Sequence, residues 1–122
     1  NVTGKMFQSL HVLFEEQYQD LAEAVDVIAE RIRALGEFAP GSFSAFVKLT
    51  SIKEETSIPT AEEMIHNLVQ GNEAVVASAR EIIQLSEECE DDVTADLMVS
   101  RMQRHEKNAW MLRSMISSNK AH

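Results

Sequence analysis

Apolar side chains recur every three or four residues along the first third of the chain. This spacing places them on one face of an α-helix, because a helix turns about 100° per residue. The pattern predicts an amphipathic helix over residues 7–35, which ends where Gly36 can take a left-handed conformation and Pro40 turns the chain. The positions on its apolar face are Phe7, Leu10, Phe14, Tyr18, Leu21, Val25, Ile28, Ile32 and Leu35.

The same spacing predicts two more long helices. Thr60 and Glu63 form a capping box, and the apolar positions after them indicate a helix over residues 60–88. The acidic segment 87–92 ends this helix, and a third long helix follows over residues 93–117. We find no strand pattern.

The connection between the first two long helices, residues 36–59, is longer than the roughly two to eight residues of a simple helical hairpin. It includes a short helix predicted over residues 43–52, with Phe43 on its apolar side. A connection of this length can cross a bundle from end to end, as in ferritin-like bundles. We therefore predict an all-α, ferritin-like four-helix bundle in one domain over residues 1–122, with its first helix absent from this sequence and placed upstream.

The 122 residues carry a net charge of −9, which disfavours a nucleic-acid surface because phosphate backbones are bound mainly by clustered Lys and Arg. No apolar run reaches the roughly 18 residues of a membrane span, and we expect neither a membrane partner nor a signal peptide. The single cysteine, Cys89, allows no internal disulfide and fits a reducing compartment. We expect a cytoplasmic or nucleoid-associated protein.

Two pairs of potential metal ligands lie on the first predicted helix. His11 and Glu15 are four residues apart, as are Asp26 and Glu30, so each pair projects from adjacent turns. Imidazole and carboxylate suit iron or zinc, although each pair alone also fits a solvated helix surface. Because ~22 Å of helix separates His11 from Asp26, one ion cannot touch both in one chain. Two copies packed antiparallel about a point near Asp20 would join His11 of one copy to Asp26 and Glu30 of the other.

Several segments match one protein family in the same order. They are Asn1-Val-Thr-Gly, Leu10-His11, Phe14-Glu15, Tyr18, Ile28-Ala-Glu-Arg-Ile32, Leu35-Gly36, Ala39-Pro-Gly-Ser-Phe43, Leu49-Thr50, Lys53-Glu-Glu-Thr56, Thr94-Ala-Asp96 and Trp110-Met-Leu112. Together with Asp26-x-x-x-Glu30 at its distance from His11, these segments closely resemble the signature of the Dps mini-ferritins. The resemblance covers nearly the whole chain.

The resemblance implies a subunit of a hollow dodecamer built from twofold dimers. Such a particle is a ferroxidase that oxidises ferrous iron with peroxide or oxygen at subunit interfaces, stores ferric mineral and protects against oxidative damage. The positions that match the family's catalytic iron ligands are His11, Asp26 and Glu30, with Glu15 near the second metal position. Asp96, with Asp92 as a weaker companion, matches an acidic position of the threefold iron-entry pore. The family normally has a further histidine ligand directly upstream of the position that matches Asn1.

Two other functions stay open at this point. A starvation protein that compacts DNA, with little or no ferroxidase activity, usually depends on a tail rich in Lys and Arg, and the C-terminal tail of this chain offers only Lys120. A plain helical interaction module would bind no metal. Of the remaining candidates, we interpret His66 as a helix-surface or core-edge residue, His105 as a packed, hydrogen-bonded residue, and Trp110 as part of the core.

Overall fold

The computed structural model describes residues 2–36, 41, 43, 44, 47 and 60–120, with side chains between residues 8 and 116. This part of the chain forms three long α-helices, and the all-α prediction is confirmed. The helices are α1 (Val2–Leu35), α2 (Ala61–Glu88) and α3 (Asp92–Lys120). The first therefore begins five residues before the apolar pattern does, and the third extends to Lys120 rather than ending at residue 117.

The predicted ends of α1 and α2 have the expected chemistry. Gly36 has a φ of 72°, in the left-handed region that favours glycine, and its N–H donates to the carbonyl of Ile32 at 3.2 Å. At the start of α2, the backbone N–H of Glu63 donates to Oγ1 of Thr60 at 3.1 Å. Both boundaries follow from local hydrogen bonding that the sequence specifies.

The short helix predicted over residues 43–52 lies mostly outside the described residues. Gly41, Phe43, Ser44 and Val47 are helical, and Phe43 is buried in the hydrophobic core. The prediction that this connection packs on the bundle is therefore met at Phe43.

Contacts between the helices give their directions. Gln17 in α1 lies beside Asn72 in α2, and Arg31, further along α1, lies beside the turn that follows α2, so these two helices run parallel. Helix α3 runs antiparallel to them. Parallel neighbours require the connection after α1 to return along the bundle, as its length predicts.

One face of each helix contributes to a single hydrophobic core. Its buried members from the three helices are Phe14, Leu21, Ala24, Ile28, Ile32, Ile65, Leu68, Val69, Val75, Ala79, Ile82, Met98 and Leu112. Helices α1 and α2 approach closely at Gly71, where an added Cβ would lie 2.8 Å from Cδ1 of Leu21. This close approach gives a reason for a glycine in the middle of a long helix.

Polar contacts add to the apolar core at two levels. At mid-height, Asn72 and His105 are fully buried and hydrogen-bonded to each other, which agrees with the packed role predicted for His105. At one end, Arg31 donates from Nε and Nη2 to Oγ1 of Thr94 at 2.9 and 2.7 Å, which ties α1 to the start of α3. No buried side-chain nitrogen or oxygen among the described residues lacks a hydrogen-bond partner.

The prediction that Trp110 belongs to the core is wrong, because its side chain is 64% exposed. The buried positions of α3 include Arg101, His105, Ala109 and Leu112, in steps of three and four. Trp110 follows Ala109 and therefore projects about 100° away from that stripe. The prediction relied on the residue type, whereas the position of a residue around the helix axis determines whether it is buried.

His66 is on the surface as expected, with 56% of its side chain exposed.

Among the described residues, we find no helix that is long and apolar enough to cross a membrane.

We predict that Thr60→Ala lowers the free energy of unfolding by about 1 kcal/mol, because one backbone N–H at the start of α2 loses its acceptor. Thr60→Ser keeps a hydroxyl at the same position and serves as the matched control. Urea unfolding followed by circular dichroism measures both. Equal losses in the two variants would show that the hydroxyl does not cap the helix.

Candidate metal centre

Helix α1 carries all four predicted iron ligands along one continuous 34-residue element. Its buried residues lie on one side, among them Phe14, Leu21 and Ile28. The four predicted ligands, by contrast, are all outside the core: His11, Glu15, Asp26 and Glu30. At about 100° per residue, they form one stripe on the face roughly opposite the core. We call these four residues and the surface between them the ligand stripe.

At one end of the stripe, His11 and Glu15 already contact each other. Nε2 of His11 lies 3.1 Å from Oε1 of Glu15, and the two side chains are 64% and 63% exposed. An imidazole and a carboxylate on adjacent turns thus converge on one point of the surface. At the other end, Asp26 and Glu30 are exposed with the same spacing of four residues.

The two ends do not meet within one chain. Because α1 is unbroken between His11 and Asp26, these two residues are ~22 Å apart along the helix axis. Within the described residues there is no group of three or more His, Cys, Asp or Glu side chains that could hold a metal ion. Among the described residues, each end of the stripe therefore brings together no more than two such side chains.

The middle of the stripe is free of charge. Asp20, near the point about which two copies were predicted to cross, instead faces α3, where Oδ1 lies 2.6 Å from Nη2 of Arg104. Arg104 and Asn108 donate hydrogen bonds to Asp20 and lower the pKa of its carboxyl, against the raising effect of burial. At this height, the exposed residues on the stripe are Gln19 and Ala22. A crossing helix would therefore meet an amide and a small side chain there.

The predicted pore residues lie at the start of α3. Asp92 and Asp96 are exposed and four residues apart, so they project from adjacent turns of one face. Asp91, directly before them, caps the helix by accepting from the backbone N–H of Thr94 at 3.1 Å. Hydrogen bonds from Thr94 hold the pKa of Asp91 below its usual value, with Arg31 acting in the same direction. Asp91 is thus engaged in structure, while Asp92 and Asp96 face outward.

Comparison with known proteins places this arrangement in a family. Residues 1–120 match the family model described as the ferritin-like domain. The chain is also 32% identical over 116 residues to "DNA protection during starvation protein 2" of Bacillus anthracis, an alignment that covers 95% of this chain and 80% of that protein. The chain belongs to the Dps family of ferritin-like proteins.

Two further relatives of this Dps chain cover smaller shares of their own length. It is 36% identical over 106 residues to the "DNA protection during starvation protein" of Porphyromonas gingivalis, which covers 87% of the chain and 67% of the relative. It is 43% identical over 118 residues to an "uncharacterized low temperature-induced protein" of a Nostoc species. That alignment covers 95% of the chain but 66% of the relative, slightly less than two thirds of its length.

Sequence reasoning did not identify the partners of the buried polar residues in this Dps chain. Asn72 was not singled out, although it contacts Gln17 and His105 in the centre of the bundle. The signal that could have found it is its phase, since Asn72 lies on the apolar face of α2, seven residues after Ile65 and seven before Ala79. A polar residue at such a position needs a buried partner.

We predict that His11→Gln, Asp26→Asn and Glu30→Gln each lower the free energy of unfolding by no more than about 0.5 kcal/mol, because exposed side chains and exposed ion pairs contribute little. Urea unfolding in metal-free buffer measures this. A decrease in the free energy of unfolding of more than about 1.5 kcal/mol would show that the side chain stabilises the fold of the subunit.

Proposed function

We propose that this Dps chain oxidises ferrous iron at sites shared between two copies of itself and stores the ferric product. The observation that carries the proposal is the ligand stripe. The fold buries one face of α1 and leaves two incomplete sets of ligands on the other face, at the two ends of a rigid element. Residues 1–120 match the ferritin-like domain model, which agrees with this chemistry.

An antiparallel pairing of two α1 helices completes both sets. Suppose that the two helices cross midway between Gln19 and Ala22. A residue of one copy then lies opposite a residue of the other copy when their two numbers sum to 41. His11 of one copy then lies opposite Glu30 of the other, and Glu15 lies opposite Asp26. A twofold axis produces two such sites per dimer, each containing one imidazole and three carboxylates.

The charge of this arrangement favours a cation. Three carboxylates brought together across an interface repel one another, and a bound ferrous ion removes that repulsion. Oxygen and imidazole ligands suit iron in either oxidation state, and the carboxylates stabilise the more highly charged ferric product. Each site is incomplete without its partner copy, so oxidation is confined to assembled particles.

The redox step needs an oxidant with access to the metal. With peroxide, two ferrous ions each give up one electron, the O–O bond breaks, and the two oxygens leave as two hydroxide ions. With molecular oxygen, two ferrous ions reduce one O₂, which takes up two protons and leaves as hydrogen peroxide. The protein supplies ligand geometry and charge, while the electrons come from iron.

The rest of the proposal concerns the assembled particle. We propose a dodecamer whose threefold pores are lined by Asp96, with Asp92 nearby. A ring of exposed carboxylates focuses the electric field and raises the local concentration of ferrous ions at the pore. Ferric ions released from the shared sites then collect in the cavity as mineral.

The names of the two starvation-protein relatives raise direct DNA binding as an alternative function. Consumption of ferrous iron and peroxide would protect DNA without contact, and the net charge of −9 opposes contact through these 122 residues. A gel shift in low and in high salt separates the two functions. Retardation that disappears as salt rises would support direct binding, and unretarded DNA at both salt concentrations would support protection through iron.

We predict that His11→Ala and Asp26→Ala each slow ferrous oxidation by at least about tenfold, since loss of groups around a metal weakens binding by this amount or more. Glu16→Ala is the matched control, because Glu16 is exposed on the same helix but points about 100° away from Glu15. Absorbance of the ferric product after addition of ferrous salt and peroxide measures the rate.

The two slowed variants, His11→Ala and Asp26→Ala, should also complement each other. In a mixed dimer, His11 of the Asp26→Ala copy meets Asp26 of the His11→Ala copy, which restores one of the two sites. Half of randomly assembled dimers are mixed, so co-assembly should recover about a quarter of the wild-type activity. No recovery from co-assembled particles of normal size would contradict a site shared between copies.

A further inference from the structure

A buried histidine connects all three helices at mid-height, away from the ligand stripe. His105 in α3 has no exposed surface. Its Nδ1 lies 2.7 Å from Oδ1 of Asn72 in α2, and its Nε2 lies 3.3 Å from Nη1 of Arg101. Arg101 is itself 8% exposed and pairs with Glu23 of α1, with Nη2 2.7 Å from Oε1. The histidine therefore lies behind an ion pair that joins α3 to α1.

The surrounding hydrogen bonds fix the proton on this ring. The amide nitrogen of Asn72 donates to the carbonyl of Leu68 at 2.8 Å and to Oε1 of Gln17 at 3.3 Å, so Oδ1 of Asn72 must accept from His105. Nδ1 of His105 therefore carries hydrogen. A guanidinium has only donors, so Nε2 must be without a proton to accept from Arg101. The packing admits one neutral tautomer and no protonated ring.

The charged groups that face His105 come from two helices. Arg101 and Arg104 approach from α3, and Asp20 and Glu23 approach from α1, while the hydrogen-bonding neighbour from α2 is the uncharged Asn72. Each carboxylate already pairs with an arginine, Asp20 with Arg104 and Glu23 with Arg101. Asp20 still favours a positive charge on the ring, but burial and Arg101 outweigh this effect.

Burial lowers the pKa of His105 to about 4. The positive charge of Arg101 acts in the same direction, and the negative charge of Asp20 opposes it. In an opened chain, the ring regains an ordinary histidine pKa of about 6.5. The packed state is thus fully stable above pH 6.5, and it loses stability progressively as the pH falls towards 4.

We propose that His105 is an acid-sensitive latch: a proton taken from solvent by Nε2 forces Arg101 away from the ring and opens the Arg101–Glu23 ion pair that joins α3 to α1. The opening begins in the buried polar layer, whereas the apolar core on either side stays paired. Because α1 carries the ligand stripe, acidification would loosen that helix from the bundle whether or not the stripe binds iron.

Hydrogen exchange and NMR on the assembled protein test the latch. We expect the equilibrium constant for opening of the amides near His105 to increase about 20-fold when the pH falls from 7 to 5. This constant is obtained after correction for the intrinsic rate of exchange. NMR of ¹⁵N-labelled histidine should show a proton on Nδ1 at pH 7 and a ring that stays neutral at pH 5.5.

Two variants separate the latch from general acid sensitivity. In His105→Asn, the amide can still donate to Asn72 but does not titrate, so the 20-fold rise should disappear. His66→Asn changes an exposed histidine on α2 and should keep the full rise. The same rise in His105→Asn as in the wild type would overturn the proposal. If His105→Asn does not fold, the wild-type NMR decides, because a proton on Nε2 at pH 7 or ordinary titration near pH 6.5 would overturn it equally.

Discussion

The rigidity of α1 is the constraint on which the proposed function depends. A continuous helix fixes the separation of its side chains, and no rotamer of His11 or Asp26 can span the ~22 Å between them. Two half-sites on one straight element can work together only if a second element brings the opposite half to each. Symmetric pairing of identical helices is the simplest such arrangement, since a single contact creates both sites.

The core of the bundle explains why these residues are available. Leu21 and Ile28 hold one face of α1 against the other helices, and Arg31 fastens its far end to the start of α3. Because one face of α1 is buried in the core, the opposite face can carry exposed side chains that contribute little to the stability of the fold. The same division separates the proposed latch from the ligand stripe, because His105 is buried within the three-helix packing and the predicted ligands lie outside the core.

Much of the fold could be predicted from local patterns. The spacing of apolar residues predicts three helices, Thr60 and Gly36 mark two of their ends, and the long connection after α1 predicts parallel neighbours. Each of these depends on residues close together in sequence. The start of α1 at Val2 could not be read in this way, because the apolar pattern begins only at Phe7, whereas a helix, once formed, extends by one hydrogen bond per added residue.

Contacts between helices were harder to predict. The partners of Asn72, Gln17 and His105 depend on the rotation and axial offset of three helices, which a one-dimensional pattern does not contain. The wrong prediction for Trp110 has a different cause. Trp110 directly follows the buried Ala109 and therefore points away from the core, so it is exposed although its side chain is large and aromatic. For the candidate site, the sequence predicts two pairs of ligands, and the structure shows that both pairs lie on the outer face of one unbroken helix. Neither the sequence nor the structure contains a second copy of the chain.

Diffraction from crystals of the assembled protein soaked in ferrous salt, recorded at the iron absorption edge, tests the shared site most directly. We expect an anomalous peak coordinated by His11 of one copy and by Asp26 and Glu30 of its neighbour, repeated across a twofold axis. A peak held by His11 and Glu15 of one copy alone, or a neighbour whose Asp26 lies far from every His11, would contradict the shared site.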